Sequence, residues 1–224
     1  VRVDSPDEWS EWKVGKKARN QGEPKAKDSI HTKDSIRTFI CIEIPVSIKE
    51  RMEDVEGELR HVDAQVSWVK PANVHLTLKF LGAVARERID SVSAAAGRAA
   101  SVTGQFEIEI GGTGCFPSAQ NPRVLWIGIT RVADGLARLH SALEQELARE
   151  GFEREAKRFS PHLTVGRLRS PRNGAELVQK FSDIGFEPEP FIASEIIVMR
   201  SEPKPTGSIY TPLSIIPLVE RTVS

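Results

Sequence analysis

The tripeptide pattern His-x-Thr occurs twice, as His75-Leu76-Thr77 and as His162-Leu163-Thr164, 87 residues apart. Each copy lies in a short run with strand-like alternation. In Val74-His75-Leu76-Thr77-Leu78-Lys79-Phe80 the even positions are apolar, and His75, Thr77 and Lys79 occupy the odd ones. Successive side chains of a strand point to opposite faces, so His75 and Thr77 share one face, as do His162 and Thr164. Two imidazoles, each with a hydroxyl two residues on, suit a reaction that needs one proton acceptor and one proton donor.

The elements around the motifs run in a repeated order. Thr38 to Ile44 reads as a buried strand that Pro45 ends. Ile48, Met52, Val55, Leu59 and Val62 then recur at helical spacing. Strands over Gln65–Val69 and Val74–Phe80 follow, joined by a Pro71-Ala72-Asn73 turn. An Ala-rich helix over Arg86–Ser101 and a strand holding Phe106, Ile108 and Ile110 complete the first set. A second set opens with a strand over Val124–Thr130. Leu136, Leu139, Leu143 and Leu147 form the stripe of a helix that Gly151 terminates. A strand pair is expected between Phe152 and Leu168, a short helix around Leu177 and Phe181, and a strand over Phe191–Met199. Each half thus reads β-α-β-β-α-β, with halves at about 37–112 and 122–217. An α/β (α+β) fold of two lobes related by a pseudo-twofold axis is predicted, with both histidines in a central cleft.

Residues 1 to about 35 differ. They are polar, lack sustained periodicity, and end in a tandem hexamer, Lys27-Asp28-Ser29-Ile30-His31-Thr32 and Lys33-Asp34-Ser35-Ile36-Arg37-Thr38. They are expected to form a disordered extension preceding a domain at 36–224.

Composition narrows the function. With 31 basic and 31 acidic residues in 224, the chain is not the basic surface that broad nucleic-acid binding requires. Contact with RNA would be local, at one terminus. No apolar run is long enough to span a membrane, and the N-terminus carries no secretory stretch. Cys41 and Cys115 sit in apolar contexts and read as buried thiols of a reducing compartment. A cytoplasmic monomer is expected. Two histidines could ligate zinc, but no third ligand has motif spacing, so no metal and no cofactor is expected. The stretch Gly111-Gly112-Thr113-Gly114 lacks the Lys-Ser/Thr ending of a phosphate loop and reads as a turn between the halves.

Several stretches carry a family resemblance. They are Arg37 to Pro45, Trp68-Val69, Asn73 to Gly82, Pro122 to Trp126, Phe159 to Arg167, and Ser201 with Gly207 and Tyr210. The chain resembles the 2H phosphoesterases, and within them the RNA 2′,3′-cyclic phosphodiesterases, also called 2′-5′ RNA ligases. The resemblance implies a bilobal fold and a metal-independent opening of RNA or nucleotide 2′,3′-cyclic phosphates to 2′-phosphomonoesters, with reversible 2′-5′ ligation. It implies that His162 activates water and His75 protonates the departing 3′ oxygen. Thr77 and Thr164 would donate to the phosphate oxygens.

The resemblance also puts Arg167 on the phosphate. Ideal alternation from His162 would send Arg167 to the opposite face, where it would form a solvent salt bridge. A bulge admitted by Gly166 would return it. Lys79 either touches phosphate or ends its strand in water. Trp68, Trp126, Phe39 and Phe159 read as core, with one aromatic near the cleft available to stack on a base. Other readings are a 2H enzyme for ADP-ribose cyclic phosphate or 2′-5′ oligoadenylate, and a non-catalytic RNA-end binding module.

Overall fold

A computed structural model describes residues 34–131, 134–205 and 207–220. The expected extension lies outside the described residues up to position 33, as does His31.

Thirteen regular elements follow in order among the described residues. They are β1 (Ser35–Glu43), α1 (Val46–Leu59), β2 (Val66–Trp68), β3 (His75–Ala85), α2 (Ile89–Ser101) and β4 (Phe106–Phe116). After them come β5 (Val124–Arg131), α3 (Asp134–Arg149), β6 (Leu163–Leu168), α4 (Gly174–Ile184), β7 (Glu189–Ala193), β8 (Glu195–Glu202) and β9 (Ile209–Pro217). Short 3₁₀ turns at Pro71–Asn73 and Arg86–Arg88 lead into β3 and α2.

The strands form two antiparallel sheets. One has the order β3-β1-β8-β9, the other β2-β6-β5-β4-β7. Without β2 the two orders are equivalent: a His-x-Thr strand at one side, then the first strand of its set, then two more. The expected pseudo-twofold relation is thus visible in the sheets. The sequence halves, however, are not the lobes. β4, the last strand of the first set, pairs with β5 and β7 in the second sheet, and β8 pairs with β1 in the first. Hydrophobic alternation specifies which face of a strand is buried, and this exchange changes only which neighbour it pairs with.

Other differences have local causes. No strand precedes β6 in the 152–161 segment; its backbone leads into the second motif as irregular chain. The apolar run Phe191–Met199 is two strands, β7 and β8, interrupted at Ser194 and belonging to different sheets. Gly111 to Gly114 lie inside β4 and do not form a turn. Gly112 has φ +69° at a register shift opposite β5, and a Cβ on Gly114 would stand 2.2 Å from the Trp126 ring. These glycines let the strand bulge and let an indole lie flat on its backbone.

The helical stripes pack as their spacing predicts. Ile48, Met52, Val55 and Leu59 of α1 are buried, as are Leu136, Leu139, Leu143 and Leu147 of α3. The small residues Ala95, Ala96, Ala99 and Ala100 of α2 are buried, and α2 packs on α3. β1 begins within the second hexamer copy, because Ile36 is buried opposite Val84.

Leu143 is fully buried in the main core. Leu143→Ala is expected to lower stability by about 3 kcal/mol, the usual cost of lost burial plus a residual cavity. Urea unfolding of both proteins checks this, and a midpoint unchanged by the substitution would contradict the packing described.

Candidate active site

Both motifs sit where a strand begins. His75 opens β3 after the Pro71–Asn73 turn, and its Nδ1 lies 2.8 Å from the Asn73 carbonyl oxygen. His162 immediately precedes β6, and its Nδ1 lies 2.7 Å from the Ser160 carbonyl oxygen. A carbonyl can only accept, so each Nδ1 carries the proton and each neutral ring keeps its Nε2 lone pair for other work. The same contact, to the residue two before, recurs at both motifs.

Each imidazole is framed by aromatic rings. Phe39 stacks on His75 at 4.7 Å between centroids, and Tyr210 meets it edge-on at 5.2 Å. Phe116 meets His162 edge-on at 5.1 Å, with Trp126 at 6.4 Å. Burial among these rings disfavours the imidazolium and is the main cause that lowers both histidines from their ordinary 6.5, against the raising effect of the backbone carbonyls. The Arg167 charge lowers His162 further.

A bulge follows each threonine. Cys41 lies opposite Thr77 but Ile40 lies opposite Lys79, so Leu78 is an extra residue in β3. Trp126 lies opposite Thr164 but Leu125 lies opposite Gly166, so Val165 is extra in β6. Faces swap beyond each bulge. Arg167 therefore returns to the face of Thr164, opposite Val124, and is exposed there. By the same device Phe80, opposite Phe39, joins the face of His75 and is 65% exposed. Both are the fifth residue after their histidine.

Thr77 and Thr164 are half-buried, and among the described residues no hydrogen bond engages either hydroxyl. β3 and β6 belong to different sheets but come into contact with each other. No group of three or more His, Cys, Asp or Glu among the described residues could hold a metal ion.

The family model described as the 2′-5′ RNA ligase superfamily matches residues 44–205. The chain belongs to the 2′-5′ RNA ligase superfamily. Curated relatives include the RNA 2′,3′-cyclic phosphodiesterase of Archaeoglobus fulgidus, 36% identical over 183 residues, covering 80% of this chain and 99% of that one. That of Methanothermobacter thermautotrophicus is 32% identical over 181 residues, covering 80% and 97%. A crystal structure of Escherichia coli LigT complexed with 3′-AMP superposes with a TM-score of 0.66 at 25% identity, over 84% of this chain and all of that one. A Thermus thermophilus structure reaches 0.70 at 25% identity over the same share.

In this superfamily member Lys79 neither faces the motif side nor ends a strand in water. The bulge turns it inward, where it is 6% exposed, 2.6 Å from the Glu144 carboxylate of α3 and 2.9 Å from the Glu153 carbonyl. Glu144 also accepts from the Glu155 amide at 2.9 Å. His140, one turn earlier on α3, stacks on Phe159 at 3.9 Å. Lys79 thus ties the first motif strand to the segment that delivers Ser160 and His162. Nothing in the sequence marked this pair except the Lys following the motif.

The aromatics read as core divide between two clusters, and Trp68 and Phe159 pack against the main one as expected. Phe39 is buried, but beneath His75 in a separate small cluster with Cys41, Ile197 and Met199. Trp68, Trp126 and Phe159 are half-buried. Cys41 is fully buried, and burial pushes its thiol up to about 12; Cys115 is half-buried. His61 is exposed.

Removing one partner of a buried ion pair strands the other charge. Lys79→Met is expected to lower stability by about 3 kcal/mol, and adding Glu144→Leu to recover much of it. Burial alone would raise Glu144, but hydrogen bonds from Lys79 and the Glu155 amide hold it below its ordinary 4.5. The pair's contribution is therefore present above that value and lost as acid carries the solution through the lower, folded one. Unfolding free energies across acid pH check both points; a double variant no better than Lys79→Met would contradict them.

Proposed function

We propose that this protein hydrolyses RNA or nucleotide 2′,3′-cyclic phosphates to 2′-phosphomonoesters, through His75 and His162 acting as one acid–base pair. The observation that carries the reading is the matched presentation of two Nε2 atoms, each fixed by an Nδ1–carbonyl hydrogen bond and each followed by an unengaged threonine hydroxyl. The names of the curated relatives and the 3′-AMP held by the LigT relative support the substrate class. The reaction belongs to the part of the chain that follows the N-terminal extension, acting on RNA termini or small cyclic nucleotides.

In the forward step His162 Nε2 takes a proton from water as the water oxygen bonds to phosphorus. The bond from phosphorus to the 3′ oxygen breaks, and protonated His75 gives its Nε2 proton to that oxygen. Thr77, Thr164 and Arg167 hold the non-bridging oxygens, where charge accumulates in the transition state. The same step with a 5′ hydroxyl in place of water is 2′-5′ ligation, and its reverse is attack of the 3′ hydroxyl on that linkage with release of the 5′ hydroxyl. Phe80 presents an exposed ring beside His75 on which a nucleobase can stack. Phe39 is covered by His75 and serves as its support.

His75→Ala and His162→Ala are each expected to lower turnover by at least ~10²-fold, with the double variant scarcely worse than either single. Arg167→Lys keeps the charge but loses the planar fork, and is expected to lower kcat/KM with stability within ~0.5 kcal/mol of the parent. Full activity of a single histidine variant on a cyclic-phosphate-ended oligoribonucleotide, assayed with EDTA present, would overturn the mechanism.

The pH dependence has a definite sign. The active form has one histidine neutral and one charged, and its population peaks midway between their two values. Both values lie below 6.5 in the free protein, so kcat/KM is expected to peak below pH 6.5. Bound phosphate favours the imidazolium, so kcat alone peaks at higher pH. A kcat/KM optimum on the alkaline side of neutrality would contradict this.

A further inference from the structure

The face that carries His162, Thr164 and Arg167 continues past Arg167. Leu168 pairs with Val66 of β2, and the Arg169 amide donates to the Gln65 carbonyl at 2.8 Å, so the ladder extends one residue beyond β6. Ser67 lies directly opposite Arg167. Residues opposite one another in an antiparallel pair share a face, so the Ser67 hydroxyl stands on the Arg167 side. Arg169 Nε donates to that hydroxyl at 2.5 Å. Its guanidinium is therefore held on the same face as Arg167, and the two residues occupy positions one strand repeat, about 6.6 Å, apart.

This bond uses one of five guanidinium N–H groups and leaves the rest without a partner among the described residues. Among the described residues neither Arg167 nor Arg169 has an acidic partner, whereas Arg51, Arg98 and Arg172 are each ion-paired. Two like charges on neighbouring positions of one strand face repel, and anions bridging them relieve that cost. Arg169 also lines a concavity of about 520 Å³ together with Arg60, Gln65 and Trp68, where the Arg60 guanidinium lies over the Trp68 ring at 5.5 Å.

We propose that Arg169, braced by Ser67, forms a second phosphate subsite that takes the 5′ phosphodiester of the terminal nucleoside, so that polynucleotide ends are selected over free cyclic mononucleotides. The proposal rests on the hydrolase reading above. With the cyclic phosphate on Arg167, the next anion along an RNA strand is that 5′ phosphate, and it lies one internucleotide step away. The second arginine is spaced for it. The concavity beyond receives the preceding part of the chain.

The test compares two substrates in the intact protein. One is a short oligoribonucleotide ending in a 2′,3′-cyclic phosphate; the other is a nucleoside 2′,3′-cyclic monophosphate with no 5′ phosphate. Arg169→Gln is expected to lower the ratio of their kcat/KM values about tenfold, the lower end of one charge-assisted hydrogen bond. Arg169→Lys should give an intermediate ratio. Binding of the same oligoribonucleotide carrying a 2′-phosphate end, followed by fluorescence anisotropy, should show a salt slope reduced by about 0.7 in Arg169→Gln, as one single-strand phosphate contact predicts. An unchanged ratio with an unchanged slope overturns the subsite. If wild-type protein turns over neither substrate, the hydrolase reading fails, and the salt slope alone then decides whether Arg169 binds a phosphate.

Discussion

The bulge after each threonine sets what the two motif strands can do. A strand without one would place Lys79 beside Thr77 and bury Arg167 with Val165 against the core. With one extra residue at Leu78 and one at Val165, the order reverses beyond the motif. A lysine is sent inward to the helical layer, and an arginine and a phenylalanine are sent out to the histidine faces. Both bulges come directly after the residues whose geometry matters most. His75 and Thr77, and His162 and Thr164, remain on ideal alternation, and only the flanking positions are re-aimed.

Sending Lys79 inward requires an acid to meet it. Glu144 does so from α3, and it also holds the Glu155 amide. The ion pair is weak evidence for net stability, since desolvation offsets much of the attraction. Its consequence is positional. The 152–161 segment lacks the ladder hydrogen bonds of a strand, so its path depends on a few contacts. Lys79 to the Glu153 carbonyl, Glu144 to the Glu155 amide, and Phe159 on His140 are three of them. The Ser160 carbonyl that orients His162 lies at the end of this path. The first motif strand thereby helps set the second histidine.

How much of this was legible follows from the range of each signal. The leucine stripe of α3 and the Ile48–Leu59 stripe of α1 are local patterns, and both pack as read. The equivalence of the motif strands was readable because two residue types recur at fixed spacing. The exchange of β4 and β8 between sheets was not, because alternation in Phe106–Ile110 is the same whichever strand lies alongside. The Gly111–Gly114 run looked like a turn, since three glycines in four residues weaken any strand. It is kept in β4 by the Trp126 ring, which a Cβ on Gly114 would displace, and that partner lies on another strand. Arg167 was undecidable from alternation alone; the extra residue at Val165 is visible only in the pairing of β6 with β5.

The proposed reaction is asymmetric, with one base and one acid, although the frame has two equivalent halves. The asymmetry enters at the re-aimed positions. Beside His162 the fifth residue is a cation, Arg167, whose charge lowers that histidine further and favours its neutral, proton-accepting form. Beside His75 the fifth residue is a neutral ring, Phe80, and the charges that reach it oppose each other: Glu43, paired opposite, acts to raise it and Lys49, ion-paired to Glu43, acts to lower it. The backbone device is the same in both strands, but it exposes a cation beside His162 and a neutral ring beside His75. In the proposed mechanism this favours His162 as the base, because the Arg167 charge beside it favours its neutral form.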